Sequence, residues 1–273
     1  MMTIALGFSC DDGLVLAADA ELSTDVDRTA GQKAWFLRFP KKSTSPTLKV
    51  GIAGAGSIDF LRYTKDLIEH SLRPEMDLNA AHGVIQGVIN KVHQKHIYKY
   101  GQPHERQHLD INMVIGIVAK DGRKLFSTAL TTISQVDSYH AVGVGRTLSN
   151  FLVNRLGRDR YTGSEAVSLA AQVLLYTSRY VKDVGGPRNI LLMHDLGVDS
   201  GFLPPDFIKR RENFIDRFDA AIQPVMFGGS EESVSPQEYR NRVNNLVVEL
   251  EALRSIASDP RFSVRGTMGA PWP

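Results

Sequence analysis

Apolar residues open the chain in two short runs, Ile4 to Phe8 and Leu14 to Ala18, split by Asp11, Asp12 and Gly13. Two β-prone segments around an acidic and glycine turn predict a hairpin over residues 3–10 and 13–19. Strand-like runs follow at 33–38 and 47–54, and the glycine-rich end of the latter leads into a helix near 57–72 that Pro74 closes. From 78 to 98, Val84, Ile85, Val88, Ile89 and Val92 recur at spacings of one, three and four. That broad apolar stripe suits a helix laid on a sheet. Leu109 to Ala119 reads as a strand, Asp121-Gly122 as a turn, and Lys124 to Ile133 as its hairpin partner. A short strand over 139–142 precedes a helix near 146–157. Thr162 and Glu165 form a capping box at the head of a helix that runs to about Lys182, and 189–194 is the last core strand. Two sheets with helices on both outer faces satisfy this order, an α+β chain.

Beyond Gly197 the punctuation changes. Pro204-Pro205 and Gly228-Gly229-Ser230 break the chain, so residues 1–199 read as one domain and 200–273 as a C-terminal helical extension. Ser235, Pro236 and Glu238 mark a helix start. Tyr239, Val243, Leu246, Leu250 and Leu253 then repeat at four and three. Such a narrow seam serves packing on the chain's own domain or pairing with a helix of another subunit.

Charge and composition remove several function classes. Thirty-two basic residues stand against 30 acidic ones, a net charge of +2, which gives no reason to expect a nucleic-acid partner. A 42% hydrophobic content over 273 residues supports a large core. No run of 18 apolar residues and no basic leader occur, so neither a membrane span nor a signal peptide is expected. Cys10 is the only cysteine, which excludes an internal disulfide and fits a reducing, cytoplasmic setting. At a strand end with no histidine partner it is a poor candidate nucleophile. His104 and His108 carry the spacing of a zinc peptidase motif, but they fall between Pro103 and a strand, where no helix holds the geometry, and read as a solvated loop. His93 and His96 read as surface histidines on a polar helix side. The Gly51 to Gly56 run lacks the third glycine of a dinucleotide loop. Neither a metal nor a cofactor is expected.

Candidate chemistry sits at the start. The first hairpin delivers Asp19 back toward Thr3. A threonine hydroxyl is a weak nucleophile at neutral pH, yet a free α-amine on the same residue, with pKa of about 8, can take its proton. Position at a terminus then becomes part of the chemistry.

The run from Gly13 to Asp19, Lys33 ahead of an apolar stretch, and the small-residue loop Val50 to Phe60 resemble proteasome β-type subunits and their bacterial relatives, the N-terminal nucleophile (Ntn) hydrolases. The glycine loop Ala141 to Gly145 and the Gly185-Gly186 loop extend the resemblance over about the first two hundred residues. It implies a four-layer αββα sandwich and a threonine-type peptidase or amidase acting on peptide or protein substrates. In that scheme Thr3 is the nucleophile once Met1 and Met2 are removed, Lys33 lowers the cost of the alkoxide, and Asp19 keeps Lys33 charged. The Gly54 amide faces the oxyanion, Ser23 and Ala55 contact the substrate backbone, and Leu22 and Ile52 line an apolar pocket for uncharged side chains. A homo-oligomeric ring fed by an ATPase is also implied. Two departures bear on activity: Val144 stands where active members carry a serine, and Asp183 is followed by Val184 rather than by serine. Valine can neither hydrogen-bond a terminal amine nor hold a water. The alternative is a non-catalytic structural or interaction subunit.

Overall fold

The structure is a computed structural model that describes residues 3–23, 28–41, 45–99, 110–155, 158–182, 184–228 and 234–257. Its first element is the expected hairpin. Strands β1 (Ile4–Cys10) and β2 (Gly13–Asp19) join through Asp11 and Asp12, with Cys10 opposite Gly13 and Ala5 opposite Ala18. After the small antiparallel pair β3 (Glu21–Ser23) and β4 (Arg28–Ala30), β5 (Ala34–Phe39) and β6 (Leu48–Gly56) open a second sheet. That sheet continues through β7 (Ile111–Ala119), β8 (Gly122–Ala129) and β9 (Thr132–Val136) in the order β5-β6-β7-β8-β9. The chain then returns to the first sheet as β10 (Tyr139–Gly143), and later as β11 (Arg188–Met193) and β12 (Gly201–Phe202), giving the order β10-β1-β2-β11-β12.

The two sheets stack, β1 and β2 lying over β6 and β7. Small and branched residues fill much of the layer between them, among them Ala5, Leu14, Leu16, Ala53, Val114 and Leu191. Gly51 pairs with Gly116 across β6 and β7, and a Cβ on Gly51 would fall 2.5 Å from the Met193 sulfur. Glycine there permits the close approach of the sheets.

Helices close both outer faces. On the second sheet lie α1 (Ile58–Ser71) and α2 (Leu78–Val92), burying Leu61, Ile68, Ile85 and Ile89 against Ile52 and Ile115. The Asp77 side chain caps α2 by accepting from the Ala80 amide at 2.8 Å. On the first sheet lie α3 (Arg146–Arg155) and α4 (Gly163–Tyr180), the latter headed by the Thr162–Glu165 capping box. The layer order is helix, sheet, sheet, helix.

Two expectations need correction. The run 124–133 is not one strand: β8 turns at Leu130, which takes φ +53° although it is no glycine, and β9 pairs back with Thr128 opposite Ile133. The apolar β-prone sequence hides this turn because it holds no turn residue. His93 is not a surface residue. It is fully buried in a π-helical turn, His93–Ile97, that follows α2, and burial pushes its pKa down. His104, His108 and Asp183 lie outside the described residues.

At the end of β6 away from Gly56, Lys49 is only 2% exposed. Its ammonium donates to the carbonyls of His194 at 3.3 Å, Asp195 at 3.0 Å and Val198 at 2.7 Å, and to the Ser200 hydroxyl at 3.1 Å. Desolvation lowers its pKa, opposed by the charges of Asp195 and Asp199.

The chain forms two compact units, Met1–Leu203 and Pro204–Pro273. In the second, α5 (Pro205–Gly228) and α6 (Pro236–Ala257) pack as a pair. Arg217 bonds Glu249 at 2.9 Å, and Arg242 donates to the Pro224 carbonyl at 3.3 Å. Tyr239, Val243 and Leu246 of the predicted seam are half-buried, whereas Leu250 is exposed; the Leu253 side chain lies outside the described residues. Among the described residues no helix is long and apolar enough to cross a membrane.

Candidate active site

Antiparallel pairing of β1 with β2 sets Ala5 against Ala18, which carries Thr3 to the end of the ladder beside Asp19. Lys33 comes from the other sheet, one residue before β5. The three side chains therefore meet where the two sheets end together, and each residue is 1% exposed. The Thr3 hydroxyl donates to Asp19 Oδ1 and accepts from the Lys33 ammonium at 2.6 Å. Lys33 also lies 3.4 Å from Asp19 Oδ1.

Backbone groups hold this triangle. Asp19 accepts from the Ile4 amide at 3.1 Å and from the Gly185 amide at 3.2 Å, so both carboxylate oxygens are engaged. The Thr3 carbonyl accepts from the Val144 amide at 3.0 Å. Gly143 lies directly behind, at φ +93°, and a Cβ there would fall 2.1 Å from the Thr3 carbonyl oxygen. No L side chain fits at that position. Val144 thus contributes its amide while its side chain is exposed, and Val184 is buried. Desolvation lowers the Lys33 pKa, opposed first by Asp19 and then by Glu21.

Glu21 is the residue that sequence reasoning missed. Its carbonyl accepts from the Lys33 ammonium, its amide donates to the Gly185 carbonyl at 3.0 Å, and the residue is 9% exposed. Asp19 ends β2 and Glu21 opens β3, with Ala20 between them outside either strand, so no alternation within one strand pointed to Glu21.

The remaining candidates separate. The Gly54 amide donates to the Lys33 carbonyl at 2.9 Å, so in this structure it pins the Lys33 backbone rather than standing open toward the Thr3 hydroxyl. A Cβ on Gly54 would lie 2.5 Å from a Leu61 methyl, which shows that its outer face is given to α1. Ile52 is fully buried opposite Trp35, in the core that α1 and α2 cover. Ala55 is 1% exposed in the layer between the sheets, next to Gly143. Leu22 and Ser23 lie in β3, paired with Thr29 and Arg28; their side chains are outside the described residues.

Cys10 takes no part. Burial, and then the Asp12 charge, push its pKa up to about 12. Iodoacetamide at pH 8 is expected to leave the native thiol unmodified and to alkylate it fully in urea, as read by intact mass. Equal rates in the two states would refute that account.

The proteasome subunit family profile matches residues 2–191, a span that holds Thr3, Asp19 and Lys33. The chain belongs to the proteasome subunit family. A search of curated proteins finds no match. Among solved structures, the Anbu (Gly-1) mutant from Hyphomicrobium sp. strain MC1 is similar at 16% identity and TM-score 0.63, covering 81% of this chain and 95% of that one. Anbu, an ancestral beta-subunit, from Yersinia bercovieri aligns at 13% identity and TM-score 0.63, over 81% and 96%. The Anbu complex from Pseudomonas aeruginosa, solved as a helical assembly, aligns at 15% identity and TM-score 0.64, again over 81% and 96%. At these identities the likeness establishes the proteasome-like fold.

Proposed function

We propose that this proteasome-family chain is a threonine-type peptidase or amidase with Thr3 as its nucleophile. One observation carries the reading: the Thr3 hydroxyl, buried between the sheets, touches both the Lys33 ammonium and the Asp19 carboxylate. The ammonium offsets the charge that develops on the oxygen, and Asp19 holds the ammonium in place. Loss of Met1 and Met2 frees the Thr3 amine. That amine takes the hydroxyl proton as the oxygen attacks a substrate carbonyl, and passes it to the leaving amine as the ester forms. A water activated by the same amine then splits the ester, returning the proton to Thr3.

The fold family and the helical assembly of the Pseudomonas Anbu complex support a homo-oligomer of this chain. A feeding ATPase and a cytoplasmic location belong to the same reading. The non-catalytic alternative draws on Val144 and Val184, which supply no side-chain acceptor near Thr3.

The test uses chain that starts at Thr3, confirmed by intact mass, treated with a threonine-directed β-lactone. One adduct localised to Thr3 is expected, and none on Thr3→Ala. Equal labelling of both proteins excludes Thr3 as nucleophile, and no labelling of either supports the non-catalytic subunit.

A further inference from the structure

Beside the threonine site lies a cleft of about 780 Å³ between the open edge of β10 and the strands β7 to β9. Its size falls within the range of about 300–1,000 Å³ usual for small-ligand sites. Its wall mixes polar and apolar groups, with Asn112, Ser127 and Gln135 among the polar ones, and its titratable lining residues include Asp137, His140 and Arg146. Asp137 accepts from the Gln135 amide at 3.4 Å. His140 and Arg146 line the same cleft, and burial, then the Arg146 charge, lower the His140 pKa. A carboxylate between them would answer both groups and relieve that repulsion.

Location ties the cleft to the chemistry. Gly143 lines it, and the same glycine abuts the Thr3 carbonyl and Ala55. His140 is three residues back along β10, roughly 10 Å at strand spacing. An extended peptide covers that distance in about three residues.

We propose that this cleft is a carboxylate-binding subsite in which His140 and Arg146 grip an acidic group about three residues from the bond that Thr3 attacks. The inference rests on the threonine reading and gives that site a substrate class, acidic peptides. It departs from the apolar pocket implied by the sequence resemblance. The carboxylate comes either from a glutamate side chain or from a peptide C-terminus, and the two sources are separable.

The test is binding of three peptides to the full chain, followed by NMR of histidine-labelled protein: acetyl-Ala-Ala-Glu-Ala-amide, its Gln counterpart, and acetyl-Ala-Ala-Ala-Ala with a free C-terminus. The Glu peptide or the free-carboxylate peptide is expected to bind at least tenfold more tightly than the Gln peptide and to raise the His140 pKa. Which of the two does so identifies the source. Arg146→Gln, a change at an exposed position, is expected to abolish the preference, and His140→Gln to reduce it severalfold. Equal affinity for all three, no binding of any, or a preference that survives Arg146→Gln overturns the proposal. Thr3 labelling without a carboxylate preference defeats this inference alone. A preference without Thr3 labelling defeats the threonine reading and leaves the chain with a carboxylate site.

Discussion

Replacing Lys33 by Met in chain that starts at Thr3 is expected to slow β-lactone labelling of Thr3 by roughly 10²- to 10³-fold, the usual loss when one charge-stabilising donor is removed from a buried site. The cause is local. Lys33 is the cation that touches the Thr3 hydroxyl, at 2.6 Å, and its charge is sustained there by Asp19 and Glu21 against desolvation. Lys33→Arg is expected to rescue little, because a planar fork cannot replace a compact ammonium that meets the Thr3 hydroxyl, Asp19 and the Glu21 carbonyl at once. Rates are compared on protein shown folded by near-ultraviolet circular dichroism. Unchanged labelling of folded Lys33→Met would remove Lys33 from the mechanism.

Lys49→Met carries the largest expected effect on stability. Three carbonyls and a hydroxyl surround the Lys49 ammonium, and a thioether satisfies none of them. A loss of about 3 kcal/mol is expected from leaving such groups buried without a donor. For a chain of this size that corresponds to roughly 10 °C in Tm, measurable by calorimetry. The pH dependence has a defined sign. Burial lowers the Lys49 pKa in the folded state, so the unfolded chain binds more protons between that lowered value and the unfolded value of about 10.4. Stability of the wild type relative to Lys49→Met therefore rises with pH through that window. A Tm within 2–3 °C of wild type, on the order of 1 kcal/mol or less, would show that the surrounding carbonyls find water instead.

Much of the fold was legible because it depends on local chemistry. The acidic turn between the first two strands, the stripe on α2 and the Thr162–Glu165 cap each name their element without help from the rest of the chain. Thr3 and Asp19 were legible for the same reason, since one hairpin joins them. Lys33 required the stacking of two sheets, which no local pattern encodes, and it was reached through family resemblance. Glu21 escaped because its contribution comes through its backbone carbonyl as well as its charge, and a carbonyl has no sequence signature. The Gly54 amide was assigned by analogy to the reaction, whereas strand pairing commits it to Lys33. Leu130 and His93 fail differently: tertiary packing holds a leucine at positive φ and buries an imidazole where local propensity points elsewhere.

The Thr3 carbonyl is latched by the Val144 amide while Ile4 pairs with Gly143, so the ladder itself measures the distance from the sheet to the Thr3 hydroxyl. The strand works as a ruler. On the proposed threonine reading, trimming that removes Met1 alone leaves the Thr3 amine blocked by Met2, and trimming that also removes Thr3 leaves a free amine on Ile4 with no hydroxyl beside Lys33. Slippage of the strand by one residue cannot compensate, because it would turn every inward side chain of β1 outward. On the proposed threonine reading, the pairing of β1, rather than the sequence around a cut, decides which terminus is competent.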